Sequence, residues 1–400
     1  MHNCLRNLAF VEYGKSPNEV RDQNGIYPIY GTGGLVGRSN RFLFDQNAIV
    51  VARKGTLDNP TYVEGKYWII DTAYATIPRD NIDAKWLYYC LSDYDLKKLN
   101  EATGVPSINR DYLYKIEFYT PTLPKQKQIA KILTTVDNLI EQTQALIDKY
   151  TAIKQGMVAD LFTRGIDLSG TPETNPNHGQ LRPSFEEAPE LYKETELGWV
   201  PREWGVVQWK KLVTYNCYGP RFSAANYSNN GNVRTIRGTD FSKDGEILYD
   251  QVPYALLRQD VVRQHELRND DVIVVTTADC GLTAVFCAQK DKYIPSAYTV
   301  KFRFDETIFP KFVKLFMSTY SAVRQTNSYI RQGTLGNLPG SDLMNYWIQL
   351  PSPTEQSQII HKLESITSKI RKEKSLIEKY FDIKKGLMQD LLTGKVQVTT

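Results

Sequence analysis

The sequence predicts an α+β protein built as a tandem repeat: two β-rich modules, each followed by a long helix, related by a pseudo-two-fold. Three observations carry this. A 45-residue segment from Pro121 recurs from Pro351 at a constant offset of 230 residues with 16 identities. Each copy has the apolar heptad spacing of a long helix. The stretch before each copy is rich in short β-type runs bounded by Gly, Asn and Asp. A repeat constrains architecture before any single element is assigned, because each copy is one structural unit.

Taken in order, residues 1–120 form the first module, with strands expected at Ile26–Tyr30, Ala48–Ala52, Tyr67–Ile70 and Ile116–Tyr119 and a helix over Lys85–Leu99. Residues 121–165 form the first helix. In it Ile129, Ile132, Val136, Leu139, Thr143, Leu146, Tyr150, Ile153 and Met157 make the heptad stripe, flanked by Leu133, Ile140 and Ile147. Residues 166–200 carry seven acidic and two basic side chains and four prolines, and read as a solvated linker. Residues 201–350 form the second module, with strands at Val206–Trp209, Val233–Ile236, Val272–Thr276, Ala284–Ala288 and Val300–Phe304, then a helical Phe309–Val323. Residues 351–400 hold the second helix, striped by Ile359, Leu363, Ile366, Ile370, Leu376, Ile377, Tyr380, Ile383 and Leu387. Pro124 and Pro353 mark the helix starts, and Gly165 and Gly394 the stops.

A helix of about 37 residues is ~55 Å long, and the two are expected to pair antiparallel as a coiled coil. Leu139, Ile140, Leu146 and Ile147 should then face Ile366, Ile370, Leu376 and Ile377. The stripe is wider than a two-stranded seam needs, so part of it should take a partner. The residues expected to serve pairing or partner binding are Gln126, Ile129, Leu133, Ile140, Leu146, Ile147 and Tyr150, with Gln356, Ile359, Leu363, Ile370, Leu376, Ile377 and Tyr380 in the second copy.

Composition excludes several classes. The 49 basic and 45 acidic residues leave +4, too little to mark nucleic-acid binding by bulk charge, so any basic surface must be local. A hydrophobic content of 41% with 25 Tyr and 15 Phe excludes a disordered chain, and no apolar run approaches the ~18 residues of a membrane span. The first ten residues are too short and polar for a signal peptide, and the five cysteines form no CxxC pair, which points to a reducing cytoplasm.

Catalytic motifs are weak throughout. The segment from Ala9 to Ser16 fits a relaxed P-loop, but Phe10, Glu12 and Tyr13 fill the loop and no apolar-periodic helix follows. GTGGLVG from Gly31 lacks dinucleotide spacing and reads as a turn. Asp58-Asn59-Pro60-Thr61-Tyr62 matches half of a methyltransferase tetrapeptide and lacks its second proline. The four histidines are scattered without metal-ligand spacing, and Cys280 and Cys287 read as buried thiols.

What remains are polar loops combining cations, amides, hydroxyls and rings, the groups that read base edges and hold phosphates. In the first module they are Arg38, Ser39, Asn40 and Arg41; Arg53, Lys54, Gly55 and Thr56; and Ser107, Asn109 and Arg110. In the second they are Tyr218, Arg221, Arg234, Arg237, Thr276, Thr277, Ser296, Tyr298, Arg331 and Gln332. The loop from Thr103 falls opposite that from Gly333 at the repeat offset. Arg53 to Thr56 have no evident equivalent in the second module, and Arg331-Gln332 none in the first.

These residues resemble the specificity subunits of type I restriction-modification systems. The helix entries Pro121–Ile129 and Pro351–Ile359 share the pattern PxxxxQxQI, and the helix exits are KQGMVADLFTRG and KKGLMQDLLTGK. ELGWVPREW from Glu196, and YGTGGLVG, ARKGT and DTA in the first module, are also similar to the family. The amino terminus lacks a counterpart of GWVPREW, so the first strand is expected to be truncated or rebuilt.

The resemblance implies two target-recognition domains and a non-catalytic, cytoplasmic subunit that reads a bipartite, gapped double-stranded DNA target. It further implies two methyltransferase subunits acting at adenine N6 and restriction subunits as partners, no membrane, and no cofactor of its own. S-adenosylmethionine and ATP with Mg would sit on the partners. A coiled-coil scaffold that binds only proteins, and a P-loop nucleotide-dependent enzyme, are the alternative readings.

Overall fold

The structure, a computed structural model, describes residues 1–399. The first module comprises β1 His2–Cys4, α1 Leu5–Leu8, β2 Ala9–Tyr13, β3 Tyr27–Gly31, β4 Gly34–Ser39, β5 Ala48–Ala52, β6 Thr61–Val63, β7 Trp68–Ile69, β8 Ala73–Pro78, α2 Ala84–Asp93, α3 Arg110–Tyr114 and β9 Glu117–Tyr119. The long helix α4 spans Leu123–Thr163, and a hairpin of β10 Tyr192–Thr195 and β11 Gly198–Pro201 follows. The second module comprises β12 Gly205–Gln208, β13 Val213–Tyr218, β14 Val233–Ile236, β15 Tyr254–Ala255, α5 Gln259–His265, β16 Val272–Val275, β17 Thr283–Val285, β18 Tyr293–Pro295, β19 Thr299–Phe304, α6 Pro310–Phe316, α7 Tyr320–Tyr329, α8 Gly340–Leu343 and β20 Trp347–Leu350. The second long helix, α9, spans Pro353–Leu391.

The two modules share one topology. A four-stranded sheet ordered β2-β8-β5-β6 in the first corresponds to β13-β19-β16-β17 in the second, and a three-stranded sheet β4-β3-β7 to β15-β14-β18. In each three-stranded sheet the middle strand runs parallel to the later one, β3 with β7 and β14 with β18. The pair β1-β9 takes the place of β12-β20. The first strand, expected to be truncated or rebuilt, is thus formed, one residue shorter than its counterpart.

Strands β5 and β16 are apolar without alternation because both faces are covered. Ile49 and Val51 pack toward Trp86 and Leu87 of α2, while Ala48 and Val50 pack toward Tyr67 and Ile69. Val272 and Val274 likewise pack with Phe312 and Phe316 of α6, and Ile273 and Val275 face Phe286 and Tyr293. The sequence of β5 was expected at its observed bounds. The edge strands β2, β4, β13 and β15 were not expected; β2, AFVEY, alternates buried and exposed side chains but lay inside the rejected P-loop match. GTGGLVG is a two-residue hairpin between β3 and β4, with Gly34 at φ +106°.

By contact the chain divides into two units, Met1–Ile147 with Lys372–Thr400, and Asp148–Arg371. The division falls inside the long helices. In the first unit the start of α4 (Ile129, Ala130, Leu133) shares a core with the end of α9 (Met388, Leu391, Leu392), and Lys384 pairs with Asp137 at 2.6 Å. In the second the end of α4 (Val158, Leu161, Phe162) shares a core with the start of α9 (Ile359, Ile360, Leu363). Start meets end in both, so the helices pair antiparallel.

Three expectations need correction. Residues 166–200 are not a solvated linker: Ile166, Tyr192 and Val200 are buried, Arg182 is 5% exposed, and Ile166 and Val200 belong to the second unit's core. Composition counts charges but not which few side chains pack. The inward rows of the helices are Ile129, Val136 and Thr143 with Leu133 and Ile147 in α4, and Ile359, Leu363, Ile366 and Ile370 in α9, all buried. Leu139, Leu146 and Leu376, expected inside, are 37%, 38% and 36% exposed; Ile140, Tyr150, Ile377 and Tyr380 are half-buried. Two adjacent apolar rows on one helix satisfy the same heptad pattern, and only packing chooses between them. Cys287 is exposed and Cys280 half-buried, although both read as buried thiols.

Candidate nucleic-acid interface

In each module the chain leaving the central strand is stitched to the loop that precedes the last short helix. In the first, Ile108 N donates to Arg53 O at 2.9 Å, Gly55 N to Pro106 O at 2.9 Å, and Lys54 bridges Ser107. In the second, Leu338 N donates to Thr276 O at 2.8 Å, Ala278 N to Gly336 O at 3.1 Å, and Thr277 bridges Asn337. These bonds lie at the repeat offset on the later loop. Arg53 to Thr56 therefore do have a counterpart, Thr276 to Asp279, and Arg331-Gln332 correspond to Glu101-Ala102. The strand-exit segments are offset by 223 residues rather than 230, because the modules differ in length, and a constant-offset comparison misses them.

A tyrosine completes each arrangement. In the first module the Tyr13 ring lies under two guanidinium groups, Arg53 at 5.4 Å and Arg110 at 5.0 Å, and edge-on to Tyr74. Burial pushes the Tyr74 hydroxyl up to about 12. In the second, Tyr218 at the matching end of β13 accepts a hydrogen bond from Gly340 N. Tyr13 was passed over because it sat in the rejected P-loop match; its place at the end of an edge strand shows only once β2 pairs with β8. The loop amides of that match are spent on backbone, Gly14 N on Ala73 O and Lys15 N on Ile69 O, so they form no phosphate cradle.

The comparisons with known proteins now decide the family. A family model described as the type I restriction modification DNA specificity domain matches residues 4–150 and again 201–379. The chain belongs to this family. Among curated relatives it is 26% identical to the type I restriction enzyme MjaVIII specificity subunit of Methanocaldococcus jannaschii, covering 97% of this chain and 91% of that one. It is 28% identical to the putative MjaX specificity subunit of the same organism, over 80% of this chain and 70% of the relative. Among solved structures, the S subunit of a type I restriction-modification system from M. genitalium matches with a TM-score of 0.64 at 13% identity, covering 100% of this chain and 96% of that one. As a specificity subunit the chain recognises DNA sequence and carries no catalysis of its own.

Within this specificity subunit the expected contact residues fall into two groups. Arg53, Lys54, Ser107, Asn109 and Arg110 are brought together, with Thr56 exposed at the edge; Asn109 also caps α3 by accepting from Asp111 N. Arg38, Asn40 and Arg41 are exposed at the far end of β4, and Ser39 is buried. In the second module Thr277, Arg331 and Gln332 sit on the stitched loops, and Tyr298, 63% exposed, lies beside them through Thr276 N to Tyr298 O at 2.9 Å. Arg221 is exposed after β13.

Four expected contacts are committed elsewhere. Arg234 is held by Asp291 at 3.1 Å, Val252 O at 2.8 Å and the Tyr254 ring, and Arg237 by both oxygens of Asp240. The Tyr254 hydroxyl and Arg234 together hold the Asp291 carboxyl below its ordinary value. Thr276 and Ser296 are buried, the first donating to Tyr298 O and the second accepting from Tyr298 N. Sequence lists cations and hydroxyls; it does not say which already have a partner. Among the described residues no cluster of His, Cys, Asp or Glu could hold a metal ion, and no helix is long and apolar enough to cross a membrane.

Proposed function

We propose that the stitched loops are the base- and phosphate-contacting surfaces, each module reading one half of a gapped double-stranded target. The carrying observation is that both modules build the same loop pairing and fill it with different side chains: Arg53, Lys54 and Arg110 in one, Thr277, Arg331 and Gln332 in the other. Equal scaffolds with unequal chemistry suit two unlike half-sites. The chain directs two methyltransferase subunits acting at adenine N6, and restriction subunits, to that target. S-adenosylmethionine and ATP with Mg belong to those partners, and the assembly works in the cytoplasm. The flipped adenine goes to a partner's pocket.

The partner rows are the ones left exposed. Leu146 and Ile153 on α4 recur as Leu376 and Ile383 on α9 at the repeat offset, all at least a third exposed. A duplicated apolar row fits two copies of one helical partner. Co-expression with a methyltransferase subunit, followed by methylation mapping, should show one asymmetric gapped motif. Unmodified DNA from an assembled complex, or modification without sequence preference, would refute this reading.

A further inference from the structure

The stitched loops expose an apolar side chain where a solvated loop would carry a polar one. Val105 is 67% exposed and Leu335 is 62% exposed, and they occupy the same place at the repeat offset, one residue before the carbonyl that receives the Gly55 or Ala278 amide. Around them almost everything differs: Thr103-Gly104 before Val105 and Pro106 after it, against Gly333-Thr334 and Gly336. The aliphatic tip is what the two loops keep in common. Each tip is anchored by backbone hydrogen bonds, so it is presented on a fixed base rather than on a free loop.

Charge around the tips selects the occupant. Lys54 and Ser107 bridge beside Val105, and Arg53, next to Lys54 in the chain, shares the Tyr13 ring with Arg110; Arg331 lies across from Asn337 beside Leu335, its side chain 70% exposed and paired with Asp342 at 3.5 Å. A protein partner of the aliphatic tip would bury these cations, whereas a duplex offers phosphates to them and stacked base faces to the apolar side chain. We propose that Val105 and Leu335 are wedges, each packing against an unstacked base step in its own half-site while the neighbouring cations hold the flanking phosphates. The proposal rests on the DNA-reading role assigned to these loops and adds local deformation of the duplex to it.

The test uses the chain assembled with its methyltransferase subunits and duplexes carrying 2-aminopurine at successive positions of the mapped target. Wild-type complex should brighten one position in each half-site besides any that holds a flipped adenine. V105A should abolish the signal in one half only and weaken binding about tenfold, the loss expected for two buried carbons. L335A should abolish the signal in the other half and, with three carbons lost, weaken binding about fourfold more than V105A. Because no charge is removed, the salt dependence of binding should keep its slope, and V105L should restore the signal. Both tips are exposed, so melting temperatures should not move. Wild-type complex that binds the target but brightens only at flipped adenines would overturn the wedge while leaving the recognition reading intact. Loss of methyltransferase assembly in V105A, with the signal intact, would reassign the tip to a protein contact and overturn it too. Failure of wild-type complex to bind the target would instead strike the recognition reading.

Discussion

Glu355 is the residue on which the second unit turns. Its carboxylate receives both terminal nitrogens of Arg182, the Trp204 indole at 2.9 Å and the Ile166 amide at 2.7 Å, and it is 3% exposed. Gly165 sits against all of this at φ +66°, where a Cβ would come within 2.3–2.5 Å of Trp204, Glu355 and Arg182. The same slot of the first repeat holds Lys125, which reaches Gln397 at 3.2 Å. E355A should cost about 2–4 kcal/mol in the second unit, because it leaves the buried Arg182 guanidinium with the exposed Glu203 as its remaining carboxylate and unpairs the Trp204 and Ile166 donors, and E355A/R182M should cost less than E355A alone. Denaturant titration of the two variants measures the difference.

Buried tyrosines set an alkaline limit at the same scale. Burial raises Tyr346 and Tyr74 to about 12, and raises Tyr67 and Tyr89 as well. A phenol whose folded value lies above its unfolded value near 10 stabilises fully below pH ~10 and loses that contribution as pH rises toward the folded value. Stability measured by denaturant should therefore fall between pH 10 and 12, and Y346F should make the fall shallower.

At the scale of elements, two glutamines join modules to helices. Gln126 accepts from Asp83 N and donates to Pro121 O, both at 2.8 Å; Gln356 accepts from Phe309 N at 2.9 Å and donates to Thr307 O and Pro351 O. Asp83 and Phe309 cap α2 and α6. The repeat marked both glutamines for helix pairing; in the fold each instead locks a long helix to the start of its own module's helix. Q356A should cost about 1–3 kcal/mol by leaving buried groups unpaired, with hydrogen-exchange protection lost at Phe309 and in the first turns of α6. Unaltered exchange there would mean the clasp is not formed.

For the whole molecule, independence of the modules is the consequence most open to test. Replacing residues 201–350 with the corresponding module of another family member should change one half of the methylated motif and keep the other. R53A should relax one position of the first half by about 1–3 kcal/mol if it reads a base, or weaken all targets alike if it holds a phosphate. A change in both halves after the exchange would end the independent-module account.

The sequence by itself determined the duplication, the order of modules and helices, and the central strands, because repeat identity, heptad spacing and unbroken β-branched runs are local signals. It also carried the family, through helix entries and exits that keep the same pattern in both copies. Tertiary structure decided which apolar row of each helix turns inward, since Leu133 and Leu139 fit the pattern equally and differ only in what lies across from them. It decided that residues 166–200 fold onto the second unit, through Arg182 and Glu355, which lie 173 residues apart. And it divided the cations into those spent within the protein, such as Arg234 on Asp291, and those left facing outward, such as Lys54. Pairing between distant residues has no period in the chain, so no window of sequence contains it.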